Sequence, residues 1–411
     1  MHMRRVVITG LGAISPLGKT LQETWEGIQA GKCGIGPITA YETAGRKVTL
    51  AAEVKDFSPQ EHLDKREIRT LDRFSWFALI AAREAFADSG LDMEQEAASR
   101  CGVIVSSGIG GLGTIEIEDG KGRDKGYDRV SPYFIPMVIT NMAAGNIAID
   151  TGFQGICSCV VTACAGGTNA IGDAFHRIRF GMEEVILCGG SEAAITPLGI
   201  GGFTSMKALH MGTDPNRASI PFDKERSGFV MGEGAGMLIL EEYEHARRRG
   251  AQIYCEVVGY GANCDANHIT APLEDGAGAA RCMELAMKEA GISPEQVAYI
   301  NAHGTSTPLN DRGETRAVKL AFREAAKKVM ISSTKSMTGH LLGASGALEG
   351  VITALSVKND YIPATINYRQ PDEECDLDIV PGQGRNHTVN YAMSNSLGFG
   401  GHNATIIFKK A

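Results

Sequence analysis

The 411-residue sequence has no long hydrophobic run. Its start, MHMRRVVITG, contains no apolar signal core, and no later segment offers about 18 uninterrupted apolar residues. We therefore expect neither export nor membrane spanning, and we expect a cytoplasmic location. The 43% hydrophobic content can fill a sizeable core, which predicts a soluble globular protein with two ordinary domains or one large composite domain.

The sequence also lacks the paired cysteine spacing C-x-x-C, and Cys157 and Cys159 lie too close together for a zinc knuckle. Cysteines scattered singly along a chain without an export signal are mostly reduced. No metal site is therefore predicted, and a structural monovalent cation is neither predicted nor excluded. Five cysteines are predicted to be core residues: Cys33, Cys101, Cys188, Cys255 and Cys282.

Excess positive charge is absent as well, because the formal net charge is −8, which argues against nucleic acid as a partner. There is no phosphate-loop motif. The stretch GIGGLG at 108–113 matches the dinucleotide fingerprint, but no amphipathic helix pattern and no acid-terminated second strand follow it. The sequence therefore predicts no bound cofactor.

Short apolar runs alternate with helical patterns along the chain. RRVVITG, CGVIVSSG, EEVILCGG and GMLILEE are typical of strands, and residues 73–89 and 168–180 have helical periodicity. This alternation predicts an α/β fold. Two segments break the pattern: 108–136 is predicted to be a polar, glycine-rich surface excursion, and 371–390 an acidic, glycine-containing loop.

The second half of the chain repeats features of the first. CGVIVSSGIGG resembles VAYINAHGTST, VVTACAGGTNAIGDAF resembles SMTGHLLGASGALEGVITAL, and EVILCGGSEAA resembles NYAMSNSLGFGGHNATIIF. We predict two similar halves, 1–251 and 252–411, related by a pseudo-twofold axis, with Cys164 and His340 each at the start of a helix. Chance similarity among turns rich in glycine and alanine is the alternative.

The best candidate nucleophile is Cys164, in VVTACAGG. Ala170, Ala174 and Ile178 belong to the buried stripe of a helix that ends near Gly181 and begins close to this cysteine. Free N–H groups and the helix dipole favour a thiolate there, and small neighbours allow a sharp turn, as in hydrolase nucleophile elbows. Core packing is the alternative.

Two histidines could act with this cysteine. His303 in INAHGTSTPLND follows an apolar strand and precedes small hydroxyl residues; a turn histidine is the alternative. His340 in TGHLLGASG meets a helix start, where the dipole favours a neutral ring able to donate to an oxyanion. Two neutral histidines near a cysteine point to enolate and oxyanion chemistry on a thioester, whereas hydrolysis needs one histidine with an acidic partner.

Two further residues complete the candidate site. Lys335 in SSTKSMTGH has hydroxyl neighbours, which favours a buried lysine paired with Glu349 or another acid over a solvated one. Phe399 in SNSLGFGGHN is flanked by glycines, which indicates a movable gate or an oxyanion-hole turn; a simple hairpin is the alternative.

Together VTACAGG, NAHGTSTPLND, SSTKSMTGHLLGASGALEG and NSLGFGGHNATIIFKK resemble the β-ketoacyl-[acyl carrier protein] synthases, in particular the elongating type of bacterial fatty-acid synthesis. The resemblance covers essentially the whole chain. It implies a thiolase-like fold of five α/β/α/β/α layers, a homodimer, and elongation of acyl chains by decarboxylative condensation with malonyl-carrier protein. Acyl- and malonyl-loaded acyl carrier protein would be the partner, with no nucleic acid or membrane partner.

The resemblance also implies roles for residues. Cys164 would carry the acyl chain, His303 and His340 would assist decarboxylation, and Lys335 would support the site. The N–H groups of Cys164 and Phe399 would form the oxyanion hole. Phe399 would also be a gate to an acyl pocket lined by Ile109 and Phe203, and Tyr133 or Phe134 would reach across the dimer. Thr270, Thr305 and Thr307 would contact the pantetheine. Asp311 and Glu314 match acidic positions of the loop region that contains Thr305 and Thr307.

Carrier proteins are acidic, so the resemblance implies a basic docking patch. Solvated surface charge is the alternative for each member. A polyketide-type ketosynthase and a catalytically silent chain-length factor are alternative functions; the silent subunits lack the cysteine that this chain has at 164. The candidate docking residues are Lys65, Arg66, Arg69, Arg123, Lys125, Arg129 and Lys207.

Overall fold

The computed structural model describes residues 3–411. The segments predicted as strands and helices from periodicity have those structures. The strands are β1 Val6–Ile14, β2 Gly36–Pro37, β3 Leu50–Ala51, β4 Cys101–Ser106, β5 Cys157–Ser158, β6 Val185–Glu192, β7 Gly234–Glu242, β8 Glu256–Cys264, β9 Tyr299–Asn301, β10 Met330–Ser332, β11 Tyr361–Ile362, β12 Arg385–Asn386, β13 Tyr391–Gly398 and β14 His402–Lys409.

Helices alternate with these strands. They are α1 Leu21–Gln29, α2 Lys65–Thr70, α3 Arg73–Ser89, α4 Leu112–Lys125, α5 Phe134–Val138, α6 Met142–Thr151, α7 Gly166–Arg179, α8 Pro197–Ser205, α9 Tyr243–Arg248, α10 Ala277–Ala290, α11 Pro308–Phe322, α12 Lys335–Thr338 and α13 Ser345–Asn359. Helix α3 illustrates the local rules: the Asp72 side chain accepts from Phe74 N at its start, and Gly90 ends it with φ 64°.

One ten-stranded sheet organises the molecule, in the order β10-β9-β13-β14-β8-β1-β7-β6-β4-β5. Outward from the central β1–β8 pair, each strand of one half corresponds to a strand of the other: β7 to β14, β6 to β13, β4 to β9 and β5 to β10. The strand directions correspond as well, because β4 and β9 pair in parallel with both neighbours, whereas β7 and β14 pair antiparallel with both of theirs. The sheet therefore has the internal symmetry expected from the sequence echo. The division at 251/252 into two domains stays a prediction.

Helices cover the sheet in layers. Helices α7 and α13 pack against each other and against strands of both halves, so they form the central layer. Helix α3 covers β1 and β7 on one outer face, and α10 covers β8 and β14 on the other. Helix α13 is buried on every side from Ser345 to Val357, as a central-layer helix must be. The thiolase-like, five-layered α/β/α/β/α arrangement is confirmed.

Of the two loop predictions, one is corrected and one agrees with the structure. Residues 108–136 are not an irregular excursion, because α4 and the start of α5 fall inside this segment. Helix α4 escaped detection because it exposes Ile117 and buries Thr114 and Gly122, so its sequence has no apolar stripe. The segment 371–390 is largely irregular, as predicted, with only β12 inside it.

The ten cysteines all lie within the described residues and are free thiols. Cys101, Cys188, Cys255 and Cys282 are buried as predicted. Cys33 is only half-buried, because it lies on the loop after α1 and contacts Pro215 O at 3.8 Å instead of entering the sheet core. Within residues 3–411, no helix is long and apolar enough to cross a membrane.

Candidate active site

Cys164 lies in a strained turn between β5 and α7. Ala163, directly before it, adopts φ 49°, an unusual value for a residue with a side chain, and Thr162 and Cys164 form a bridge across the turn. A Cβ on Gly166 would lie 2.0 Å from Ser106 Oγ, so only glycine fits there. The turn presents the thiol just ahead of the helix, as the sequence predicts.

His340 lies directly beside this thiol. Its Nε2 is 3.1 Å from Cys164 Sγ, and its Nδ1 is 2.7 Å from Ser345 Oγ. Its backbone N–H donates to Val230 O at 2.7 Å, and Phe229 packs edge-on against the ring. Helix α13 begins only at Ser345, five residues after His340, so the prediction that His340 itself opens a helix is wrong. A short 3₁₀ turn separates them.

His303 faces His340, with ring centroids 5.2 Å apart. The backbone N–H groups of His303 and Gly304 each donate to the Glu314 carboxylate at 2.8 Å. The Lys335 ammonium lies 3.5 Å from His303 Nδ1. Because an ammonium can only donate, Nδ1 is the acceptor and Nε2 carries the proton that faces the cavity. Glu314 thus fixes the backbone of His303 and Lys335 fixes its tautomer.

The resemblance implied that Asp311 and Glu314 lie in the loop region, but both lie in the first turns of α11. Thr307 caps that helix by accepting from Asn310 N, which places both carboxylates beneath the His303 loop. Asp311 accepts from Phe222 N and Ser306 N, and Glu314 accepts from the His303 loop. Burial raises the pKa of Asp311, and it raises that of Glu314 to about 7.

Lys335 is 1% exposed and forms an ion pair with Glu349, which confirms the predicted buried lysine. Burial raises the pKa of Glu349 to about 7, against the opposing effect of Lys335. Glu349 Oε2, both amide atoms of Asn301 and Ser394 Oγ are buried without a hydrogen-bond partner. No group of three or more metal-ligating His, Cys, Asp or Glu occurs within residues 3–411.

The resting state of Cys164 differs from the sequence prediction. Burial raises the pKa of its thiol to about 12, although Lys335 and the N–H groups of Phe399 and Cys164 itself favour the thiolate. The prediction that the helix start makes this cysteine acidic is therefore wrong for the free protein, because desolvation outweighs the dipole. Cys164 is held as a thiol.

Both histidines are held neutral. Burial, followed by the charge of Lys335, lowers the pKa of His303 and His340 well below the ordinary value. The direction agrees with the expectation of neutral rings, but the main cause is desolvation rather than the helix dipole. Two neutral imidazoles beside a buried thiol can donate hydrogen bonds to developing oxyanions without carrying charge themselves.

A cavity of about 420 Å³ opens onto this group. It brings together most of the residues named from the sequence: Cys164, Phe203, Lys207, Thr270, His303, Thr305, Thr307, His340 and Phe399. Phe399 lies in the glycine-rich turn between β13 and β14, and its ring is 6.2 Å from that of Phe203. The cavity is lined by more apolar than polar surface, as is typical of a site for a long apolar substrate.

Three predicted pocket residues do not line this cavity. Ile109 packs in the cluster that contains Phe203 and Leu342, which do line it. Tyr133 precedes α5 and is 40% exposed, and Phe134 begins α5 half-buried. The reach of the last two across a dimer stays a prediction.

The candidate docking residues are all exposed. Lys207 lies at the mouth of the cavity and adopts φ 56°. Lys65, Arg66 and Arg69 lie on α2, away from the cavity lining. Arg123 is in an ion pair with Asp119 at 2.8 Å. Of the remaining two, Lys125 ends α4 and Arg129 ends the turn after it.

Sequence reasoning missed two buried residues. Ser345 contacts His340 Nδ1, and Glu192, at the end of β6, accepts hydrogen bonds from loops on both halves of the molecule. A signal for Glu192 was available: an acidic residue closes the apolar run VILCGGSE, where a buried strand ends. Ser345 lies among small residues and has no such signal.

The chain matches known families along most of its length. Residues 3–246 match "Beta-ketoacyl synthase, N-terminal domain" and residues 254–369 match "Beta-ketoacyl synthase, C-terminal domain". It is 53% identical over 411 residues to a 3-oxoacyl-[acyl-carrier-protein] synthase 2 of Synechocystis, covering 100% of this chain and 99% of the relative. A protein of the same name from Staphylococcus aureus is 51% identical over 407 residues, covering 99% and 98%.

Solved structures are similar over the full length. A type II polyketide ketosynthase, solved in complex with its acyl-carrier protein, is 37% identical with a TM-score of 0.92, and both chains are covered completely. A beta-ketoacyl synthase from Burkholderia phymatum is 34% identical with a TM-score of 0.90, again with 100% coverage of both chains. With a cysteine and two neutral histidines in one cavity, the chain belongs to the beta-ketoacyl synthase family.

Proposed function

We propose that this protein is an elongating 3-oxoacyl-[acyl-carrier-protein] synthase that joins an acyl chain on Cys164 to a two-carbon unit from malonyl-carrier protein. The observation that carries the proposal is the group Cys164, His303 and His340 in one largely apolar cavity. The curated relatives named above, at 51–53% identity over nearly the full chain, support the fatty-acid type.

The first step transfers the acyl group. The thiol of Cys164 gives its proton to His340 Nε2, 3.1 Å away, and the sulfur attacks the acyl thioester carbonyl. Collapse of the tetrahedral intermediate expels the carrier's pantetheine thiolate, which takes the proton from His340. Thiol and thioester exchange partners, so no water or cofactor is consumed.

The second step forms the carbon–carbon bond. Malonyl-carrier protein loses CO₂, and the N–H groups of His303 and His340 donate to the enolate oxygen as its charge develops. The enolate carbon attacks the acyl-cysteine carbonyl, and the thiolate of Cys164 leaves and takes up one proton from solvent, the proton that decarboxylative condensation consumes. Because both rings are neutral and buried, they stabilise the enolate oxygen more than the neutral thioester carbonyl from which it develops.

His340 must accept a proton in the first step and donate a hydrogen bond in the second. Its Nδ1 contacts the hydroxyl of Ser345 at 2.7 Å, and a hydroxyl can donate or accept. Ser345 can therefore support either tautomer. His303, whose Nδ1 faces the Lys335 ammonium, keeps its proton on Nε2 throughout.

The oxyanion hole of the acyl-transfer step is formed by the backbone N–H groups of Cys164 and Phe399. Both already favour the thiolate in the free protein. A Cβ on Gly398 would lie 2.8 Å from Thr162 O, so glycine is needed for the β13 end to come this close to the nucleophile turn. Phe399 would move aside to admit the acyl chain.

The rest of the cavity is assigned to the substrate arms. Thr270, Thr305 and Thr307 would hold the pantetheine, and Phe203 and Ile109 would bound the acyl pocket. The exposed basic residues, Lys207 at the mouth first among them, would meet the acidic carrier protein. A similar solved ketosynthase is in complex with its acyl-carrier protein, which supports this partner.

We further propose a homodimer formed through β5. Among residues 3–411 no strand pairs with its outer edge, and such an edge favours pairing with another chain. Large apolar side chains are exposed along the same part of the chain. They are Ile115, Ile117, Tyr127, Tyr133, Ile135, Ile139, Ile149 and Val161.

The test of this function is acyl transfer itself. We expect purified protein, incubated with acyl-carrier protein, to carry an acyl adduct on Cys164, detected by peptide mass spectrometry. Replacing His303 by Ala should suppress malonyl decarboxylation more than acyl transfer, whereas His340→Ala should lower both steps because His340 also receives the Cys164 proton. Cys164→Ala is the matched control without a nucleophile. An adduct on another residue, or equal loss of both steps in His303→Ala, would contradict the proposal.

A further inference from the structure

A further buried carboxylate, Glu192, joins the two halves of the molecule beside the active site. Its Oε1 accepts from Ser107 Oγ at 2.9 Å and Ile109 N at 3.1 Å. Its Oε2 accepts from Gly108 N at 2.7 Å and Gly343 N at 3.0 Å. Three of these donors follow β4 in the first half, and the fourth follows His340 in the second.

Four hydrogen bonds favour the charged form of this carboxylate. Glu192 is 0% exposed, and within residues 3–411 no Lys or Arg lies within ion-pair distance of it. Three of its partners are backbone N–H groups, which can only donate, and the fourth is the Ser107 hydroxyl, which can donate or accept. Burial raises its pKa, and the four hydrogen bonds oppose that effect. The negative charge of Glu192 also raises the pKa of Cys164, although burial has the larger effect.

The two segments joined by Glu192 carry functional residues. Ile109 packs with Phe203 in the cluster under the cavity, and Gly343 belongs to the turn between His340 and α13. The contact is close: a Cβ on Gly343 would lie 2.4 Å from Gly108 N. The two backbones are therefore held against each other by hydrogen bonds to one side chain.

We propose that Glu192 is a positioning residue for the acyl-transfer step, because its carboxylate fixes the Ile109 loop of one half against the His340 turn of the other. Glu192 touches no substrate. It sets the wall of the acyl pocket relative to the histidine that receives the Cys164 proton. The acyl-pocket part of this inference rests on the proposed function.

The test compares Glu192→Gln with a matched variant at the opposite end of the same strand. An amide has one acceptor oxygen, so its NH₂ group faces at least one backbone N–H donor and at least one hydrogen bond is lost. Glu183→Gln is the control, since Glu183 is also buried, precedes β6, and pairs with Arg177 at 2.8 Å away from the cavity. Unfolding temperatures of both variants are measured alongside.

Two readouts are expected to change in Glu192→Gln and not in Glu183→Gln. The rate of Cys164 alkylation by iodoacetamide at fixed pH should rise about threefold or more, because a negative charge near the thiolate is removed. The ratio of kcat/KM between the best and poorest acyl chain lengths should shrink about tenfold, because the Ile109 loop is no longer fixed.

Outcomes that overturn the proposal are defined for each readout. Unchanged alkylation and unchanged chain-length selectivity in Glu192→Gln would overturn it, and so would equal changes in Glu183→Gln. If Glu192→Gln does not fold, Ser107→Ala removes one of the four donors, and its chain-length ratio must shift in the same direction. If the parent enzyme forms no acyl-Cys164, the proposed function fails, while the alkylation comparison still decides whether Glu192 acts on Cys164.

Discussion

At the scale of single residues, the active site is a set of charges and neutral groups that depend on one another. After burial, the charge of Lys335 lowers the pKa of both histidines, and the buried partner of Lys335 is Glu349. Removing one member of a buried ion pair leaves the other charge uncompensated. Stability and chemistry are therefore linked at this residue.

We expect Lys335→Met to lower the free energy of unfolding by about 3–5 kcal/mol, measured by urea denaturation. Malonyl decarboxylation should fall further than stability alone explains, because His303 loses the donor that fixes its tautomer. The double variant Lys335→Met/Glu349→Leu should recover stability but not decarboxylation. Recovery of both would mean that Lys335 serves packing only.

Cys164 should show a pH dependence that follows from its raised pKa. The thiol pKa of about 12 means that the thiolate fraction keeps rising through the alkaline range instead of levelling off near pH 8 or 9. We expect the iodoacetamide alkylation rate of Cys164 to increase steadily with pH as long as the fold persists. A plateau near neutral pH would instead support the acidic cysteine that the helix start alone predicts.

At the scale of elements, helix α7 positions the nucleophile turn through successive hydrogen bonds between side chains. Thr162 Oγ1 donates to Asn169 Oδ1 at 2.6 Å, and Asn169 Nδ2 donates to Tyr260 Oη at 2.5 Å. Thr162 O accepts from Ala165 N at 3.1 Å, which closes the turn around Cys164. Asn169 therefore connects β8 of the second half to the nucleophile of the first.

We expect Asn169→Leu to lower acyl transfer to Cys164 by about tenfold and to cost about 1–3 kcal/mol of stability, because the half-buried Thr162 hydroxyl and the buried Tyr260 hydroxyl lose their partner. Tyr260→Phe removes only the far contact and should have a smaller effect on the same acylation assay. An acylation rate unchanged in Asn169→Leu would show that the turn holds its own geometry.

Elements show where sequence reasoning succeeds and where it stops. The strands and α3 and α7 were predictable because their apolar periodicity reflects burial in layers. Helix α4 was not, since one of its apolar residues, Ile117, faces outward. The Cys164 and histidine positions were predictable from turns of small residues, whereas the pKa of Cys164 and the contacts of Glu192 depend on tertiary burial, which spacing along the chain does not encode.

At the scale of the whole molecule, the exposed apolar side chains between α4 and the nucleophile turn predict association. Ile149, on α6, is 79% exposed, and Val161 is 53% exposed. We expect Ile149→Asp to shift the protein from dimer to monomer in analytical ultracentrifugation, because a charge would be buried at the interface. Leu285→Asp, at a 40%-exposed position on α10, is the control and should leave the mass unchanged. A monomeric parent protein would contradict the proposed dimer.

The central position of α13 has a consequence for how the chain is made. This helix is enclosed by strands of both halves, including β13 and β14, which are synthesised after the other strands described here. Contacts between such distant segments form late and slow folding. During translation the inner face of the first half therefore stays uncovered. Nascent chains depend on protection from aggregation until β13 and β14 leave the ribosome.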